Sequence, residues 1–316
     1  MAIKRRDLVS ATAAASLLAT IPATVLSGVE MKESAMKIRI GMNMLLWGVN
    51  ITSEHIPVFQ GLAAAGFDGV EIPVVGQPES ELKEMRAALD DLGLACTTAT
   101  FITPDINPID PDPAIRGKAV DALKERIDQT AALDSDILIG GIYQAHKYFV
   151  GRGATEQEWQ WSADYLRAAG EYAKTMGIRL GLEFLNRFEV FLINTAADAQ
   201  RMCHDVGLDN VGILYDTHHA NIEDPNPAQA LVPVREELFH VHLSESHRGT
   251  LGTGQVKWEE TFAALKQIDY QGWLTIEAFG TSDPAIVNAA NIWRNAFESE
   301  EQLYTEGIEF IRKHLG

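Results

Sequence analysis

From Ile38 to its C-terminus the chain alternates between two hydrophobic textures. Short β-rich runs, apolar or with a period of two, are followed by longer stretches with apolar residues at helical spacing. The runs are "IRIGMNMLLW", "GVEIP", "ACTTATFI", "DILIGGIY", "RLGLEFLN", "VGILYDTHH", "LFHVHLSE" and "WLTIEAF". Between them lie amphipathic segments such as "ESELKEMRAALDDLG", "IRGKAVDALKERIDQTAALD" and "EWQWSADYLRAAGEYAKTMG". Gly66, Gly93 and Gly177 stand where helix C-caps belong. Eight β-then-α units in a stretch close to the usual length of about 250 residues predict a single (β/α)8 TIM barrel. A doubly wound sheet is the competing architecture, but "LLWGVNITSE" after the first strand lacks the G-x-G-x-x-G turn. The one long non-periodic insert is "TPDINPIDPDPA", a Pro/Asp-rich loop after the third strand.

Residues 1–36 do not share this pattern. Lys4, Arg5 and Arg6 precede a weakly apolar Ala/Thr-rich run, the layout of a twin-arginine export signal. The run is too short and too polar for a spanning helix, which needs about 20 apolar residues. The expected division is 1–36 as export signal or non-structural extension and 37–316 as the catalytic barrel. The paired arginines favour a periplasmic protein; a translation start at Met36, just before "KIRIGMNMLLW", would make it cytoplasmic.

Composition narrows the function. The 316 residues carry a formal net charge of -18. Such acidity argues against nucleic acid, whose phosphates demand basic patches, and gives no sign of binding anionic membranes. Cys96 and Cys203, the two cysteines, are too few for a disulfide scaffold or a thiolate zinc site.

Active sites of such barrels lie where strands give way to loops. The last four strands each end near one candidate ligand: Glu183, Asp216, His242 and Glu277, spaced by roughly one βα repeat. Pleat alternation places Gly181 with Glu183, Leu214 with Asp216, His240 with His242, and Thr275 with Glu277, opposite apolar faces that suit helix packing. All four ligands are therefore expected to point into the barrel mouth. Three crowded carboxylates raise one another's pKa unless a cation intervenes. Three carboxylates and one imidazole, without thiolate, suit Mn²⁺, Mg²⁺ or Co²⁺ better than zinc. A lone strand-end carboxylate is usually a loop hydrogen-bonder and a lone histidine a satisfied core residue, but four in register favour a metal site. His240 is expected to support a ligand from behind.

Local motifs sharpen this reading. "LEFLNRFE", "YDTHHANIED", "HVHLSESHRGTLGTG" and "IWRN" resemble the ketose 3-epimerases, the D-tagatose 3-epimerase and L-ribulose 3-epimerase group. The resemblance implies one divalent metal, commonly manganese, on Glu183, Asp216, His242 and Glu277. It implies that Glu183 and Glu277 also act as the acid/base pair. Glu189, His219 and Arg248 fall on substrate-contacting positions, and Trp47, closing the first strand, matches an aromatic beside the sugar. The implied activity is inversion at C3 of a free ketose such as D-tagatose, D-fructose, D-allulose or L-ribulose, through a cis-enediolate, by a homodimer or homotetramer. The sequence departs from the group at Ser244, where a Gly is usual, at His218, where a Phe is usual, and in "GGIYQAHKYF" after the fourth strand. These departures touch the pocket rather than the metal ligands.

Rival functions share the scaffold. A hydroxypyruvate-type or aldose–ketose isomerase would yield an aldehyde, and a keto-sugar or inositol dehydratase would lose water. The glycines of "RGTLGTG" raise a phosphosugar enzyme. A barrel endonuclease would need more histidines and a basic surface. A non-enzymatic sugar-binding barrel would bind without exchanging a proton.

Overall fold

The computed structural model describes residues 38–316. The twin-arginine segment lies outside the described residues. The eight strands are β1 (Arg39–Asn43), β2 (Gly69–Pro73), β3 (Ala95–Ala99), β4 (Ile137–Gly140), β5 (Arg179–Glu183), β6 (Val211–Asp216), β7 (Leu238–Leu243) and β8 (Trp273–Ile276). They pair in parallel in chain order, and β1 closes on β8, giving the expected barrel.

Helices α1 (Ile56–Ala65), α2 (Glu79–Leu92), α3 (Pro113–Ala132), α4 (Glu156–Thr175) and α5 (Ala196–Val206) follow the first five strands in turn. After β6 the chain forms α6 (Thr217–Glu223) and α7 (Pro227–Ala230), after β7 α8 (Trp258–Gln267), and after β8 α9 (Pro284–Ala290) and α10 (Glu300–Leu315). Among the described residues none of these helices is long and apolar enough to cross a membrane. Gly66, Gly93 and Gly207 end α1, α2 and α5 in the left-handed region, where a Cβ would be strained. Thr155 with Glu158, and Thr195 with Asp198, form capping boxes that start α4 and α5.

Alternation along the strands divides the core in two. Leu180, Leu182, Ile213, Tyr215, Val241, Leu243, Leu274 and Ile276 face outward into one large apolar cluster with the helices. Ala99, Ile137, Ile139 and Leu214 form a separate small cluster. Leu214 shares the Asp216 face of β6, so this cluster floors the barrel interior beneath the site.

The strands stop sooner than the apolar runs predict. The sixth run predicts a strand through His219, but β6 ends at Asp216 and α6 begins at once. The cause is Asp216 itself, whose Oδ1 accepts the N–H groups of His218 at 2.5 Å and His219 at 3.3 Å as a helix N-cap. In the same way Asn43 ends β1, its Oδ1 accepting Leu45 N–H at 2.8 Å to start a 3₁₀ turn over Met44–Leu46.

Candidate active site and metal centre

Glu183 and Asp216 are the last residues of β5 and β6, and His242 is the last but one of β7. Glu277 directly follows β8, and its N–H continues the ladder to Leu243 O at 3.0 Å. Each offers one ligand atom within 4.8 Å of the other three, and all four residues are buried. The in-register convergence expected from pleat parity is what the barrel builds.

The donor set fits a divalent cation. His242 Nε2 lies 2.7 Å from Glu71 Oε1, and a carboxylate can only accept, so in the neutral ring Nε2 carries the hydrogen and Nδ1 the lone pair. Buried Nδ1 has no hydrogen-bond partner among the described residues. It faces Glu277 Oε1 at 3.5 Å, and Glu183 Oε1 and Asp216 Oδ2 at 3.8 Å. Those gaps are too long for good hydrogen bonds. They match the separation of ligands that sit about 2.1 Å from a shared ion.

The protein's own charges show the strain of this cluster. Burial, reinforced by the Asp216 and Glu183 charges, pushes the Glu277 carboxyl well up, against the opposing pull of Arg248 and His242. For Asp216 burial acts the same way but the Arg248 and His219 charges overcome it, and its pKa falls. Arg248 brings a guanidinium into the centre. The two N–H groups of its Nη1 are shared among Asp216 Oδ2 at 3.0 Å, Glu277 Oε2 at 2.5 Å and Ser244 Oγ at 2.8 Å. Nη2 reaches His219 Nε2 at 2.9 Å. Ser244, one of the departures from the family pattern, thus helps to hold the arginine.

The substrate-contacting candidates divide. Glu189, His219 and Arg248 line one cavity with Glu183, His242 and Glu277. Asn186 ties the first two together, its N–H and side-chain amide both 3.0 Å from His219 Nδ1 and the amide donating to Glu189 Oε1 at 2.8 Å. Trp47 is not among the lining residues. The 3₁₀ turn after β1 carries its ring toward Tyr304, 6.4 Å away between centroids, while Leu45 and Val49 of the same loop reach the cavity instead. The expectation that Trp47 closes the first strand is corrected by that turn, since β1 ends at Asn43.

Three residues of the site escaped the sequence reading. Glu71, wholly buried on β2, accepts from Asn43 Nδ2 at 2.9 Å and Thr97 Oγ1 at 3.0 Å besides His242. Asn43 also reaches Glu277 Oε1 at 3.2 Å. His146, from the β4 loop, lines the cavity with Nε2 at 3.1 Å from Glu189 Oε2. His240 supports the centre only indirectly: its Nε2 lies 3.0 Å from Glu71 Oε2.

The cavity encloses about 270 Å³ at the C-terminal mouth. That suits a small ligand rather than a polymer. The rest of the lining includes Phe101, Leu185, Phe279, whose ring lies 4.7 Å from the Arg248 guanidinium, and the Ala285, Ile286, Ala289 and Ala290 face of α9. Gly140 and Gly141 form part of the wall at β4. A Cβ on Gly140, whose φ is +133°, would fall 2.1 Å from Thr100 O, and one on Gly141 2.6 Å from Leu185 Cδ1.

The glycine-bearing loop after β7 folds around a carboxylate of its own. Glu245 sits wholly buried at its centre and accepts from the N–H groups of Ser246, Gly252, Gln255 and Val256 and from Trp258 Nε1. Those amides are already committed to a carboxylate, which would repel a phosphate.

Residues 59–314 match the family model of the xylose isomerase-like TIM barrel. The L-ribulose 3-epimerase of Methylomonas sp. is 31% identical over 280 residues, spanning 88% of this chain and 98% of that protein. The chain belongs to the ketose 3-epimerase family. A second member, the ketose 3-epimerase of Arthrobacter globiformis, is also 31% identical, over 88% of this chain and 96% of its own length. The crystal structure of a Methylomonas D-allulose 3-epimerase in complex with D-allulose superposes with a TM-score of 0.83 at 30% identity, covering 88% of this chain and 98% of that one. The resemblance drawn from "LEFLNRFE" and the motifs after it is therefore borne out, and the enzyme class is carbohydrate epimerase.

Proposed function

We propose that this epimerase inverts C3 of a free ketose with Glu183 and Glu277 as its proton-transfer pair and with a divalent cation, Mn²⁺ before Co²⁺ or Mg²⁺, held by Glu183, Asp216, His242 and Glu277. The observation that carries the pair is exposure to the cavity: Glu183 and Glu277 line it, whereas Asp216 is withdrawn beneath the α6 N-terminus and Arg248. When bound, the cation supplies Lewis-acid stabilisation of charge on the ketose oxygens.

A C–H beside a ketone is a weak acid, so one glutamate must take the C3 proton and the other return one from the opposite face, through a cis-enediolate of the sugar. Such positioned proton transfer contributes about 10²–10⁴-fold. Arg248, His219 and Glu189 donate to and accept from the oxygens at the C1–C2 end, with their geometry set by Asn186 and Ser244. Leu185, Phe101 and α9 supply apolar lining that excludes water. The committed amides around Glu245 favour a free sugar over its phosphate.

The test is a panel of ketoses, D-tagatose, D-fructose, D-allulose and L-ribulose among them, incubated with Mn²⁺ in D₂O and read by NMR. Inversion at C3 with deuterium entering at that carbon is expected. An aldehyde product, loss of water, or binding without deuterium uptake would each replace this reading with a rival. Export by the twin-arginine route and assembly as a homodimer or homotetramer are part of the same proposal, checked by cell fractionation and light scattering.

A further inference from the structure

Glu71 lies outside the ligand set, yet its carboxylate has a partner on every side. It stands in register with Asn43 on β1 and Thr97 on β3, and both side chains donate to it. Across the barrel its Oε1 receives His242 Nε2 at 2.7 Å, and its Oε2 lies 3.0 Å from His240 Nε2. An ionised carboxylate buried this deeply is costly unless hydrogen bonds compensate, and here they do.

We infer that Glu71 is a positioning residue of the metal centre: it holds the hydrogen of His242 on Nε2, leaves the Nδ1 lone pair facing Glu183, Asp216 and Glu277, and through Asn43 also steers Glu277. The inference rests on the metal reading above. Two contacts set it apart from a carboxylate that merely fills a polar core. The Glu71–His242 contact decides which imidazole nitrogen can bind a cation. Asn43 Nδ2 is shared between Glu71 Oε1 and Glu277 Oε1, at 2.9 and 3.2 Å, so one amide aligns two groups on different strands.

Glu71→Gln keeps the shape but offers His242 an amide that can also donate. Thr97→Val removes only one hydrogen bond to Glu71 and touches no ligand. Mn²⁺ is titrated by calorimetry into metal-free full-length wild type and both variants, and melting temperature is recorded with and without Mn²⁺. Glu71→Gln should bind Mn²⁺ roughly 10–100-fold more weakly, the range for lost partners of metal ligands. Thr97→Val should weaken it by about fivefold. In both variants the melting increment produced by Mn²⁺ should shrink. Mn²⁺ binding by Glu71→Gln within roughly twofold of wild type, or a lowered metal-free melting temperature with an unchanged increment, overturns the inference and leaves Glu71 purely structural. Should Glu71→Gln fail to fold, an unchanged constant in Thr97→Val overturns it alone. A wild type that binds no Mn²⁺ is a different outcome, which removes the proposed metal centre and this inference with it.

Discussion

The two halves of the barrel contribute unequally at the mouth. β5 to β8 each deliver one charged or imidazole group to a common point, whereas β1 to β4 deliver none to it. The first half instead provides room and support. Pro73, Ala99, Gly140 and Gly141 keep its rim small, and Asn43, Glu71 and Thr97 form a hydrogen-bonded row that leans on His242 and Glu277. The contrast teaches that charge gathered on one side of this barrel is oriented partly from the other side.

The strongest way to break this comparison is to disable the charged half. Glu277→Gln should cut C3 proton exchange in D₂O by about 10²–10⁴-fold or more while the circular dichroism spectrum is retained. Exchange at the wild-type rate would remove Glu277 from the chemistry. Chelation tests the cation itself: relative to protein with Mn²⁺ at 100 times its dissociation constant, EDTA should remove about 2.7 kcal/mol of stability. For a domain of this size that lowers the melting temperature by about 5–10 °C in calorimetry. His146→Ala probes where the halves meet, because the β4 loop there touches Glu189 of the β5 loop. It should raise KM about tenfold with a smaller change in kcat, since the lost hydrogen bond serves ligand binding.

Glu158 offers a control on the first half, away from the mouth. Its pKa is drawn down to about 2, first by the Arg152 hydrogen bonds and then, against its burial, by Thr155. Its stabilisation is therefore complete above the ordinary carboxylate range and lost as pH falls through about 2. With Arg152 half exposed to solvent, Glu158→Gln should lower the melting temperature by only about 2–4 °C at pH 7. That difference should vanish toward pH 2 in a thermal melt series. Smallest of all, Ser244→Gly removes one of the acceptors of Arg248 and should change kcat/KM by no more than about fivefold.

The charged half was the legible half. Short β-rich runs between helical stretches placed all eight strands, and pleat parity on the last four aimed Glu183, Asp216, His242 and Glu277 inward. Carboxylates at the ends of buried strands are too costly to keep there without a partner or a task, so they stand out in an apolar run. Glu71 shows what such reading misses. "GVEIP" poses the same question as "GLEFL", a carboxylate two residues after a glycine in an apolar run, but no neighbouring strand supplied a matching ligand to prompt it. His146 and the true position of Trp47 depend on loop conformation. A single Asn43 side chain turning the backbone after β1 decides the latter, and hydrophobic periodicity carries no trace of it.

The β4 wall has a consequence for anyone who would retune this enzyme. Glycine at position 140 leaves no tolerance for added bulk, since the Thr100 backbone oxygen already occupies the space a methyl would need, whereas at Gly141 the Leu185 side chain would have to move. The α9 side is the adjustable jaw: Ala289 and Ala290 stand on a short surface segment where longer side chains can be grafted without disturbing a strand. Altered cavity shape is therefore more accessible there, on the last loop of the barrel, than at Gly140.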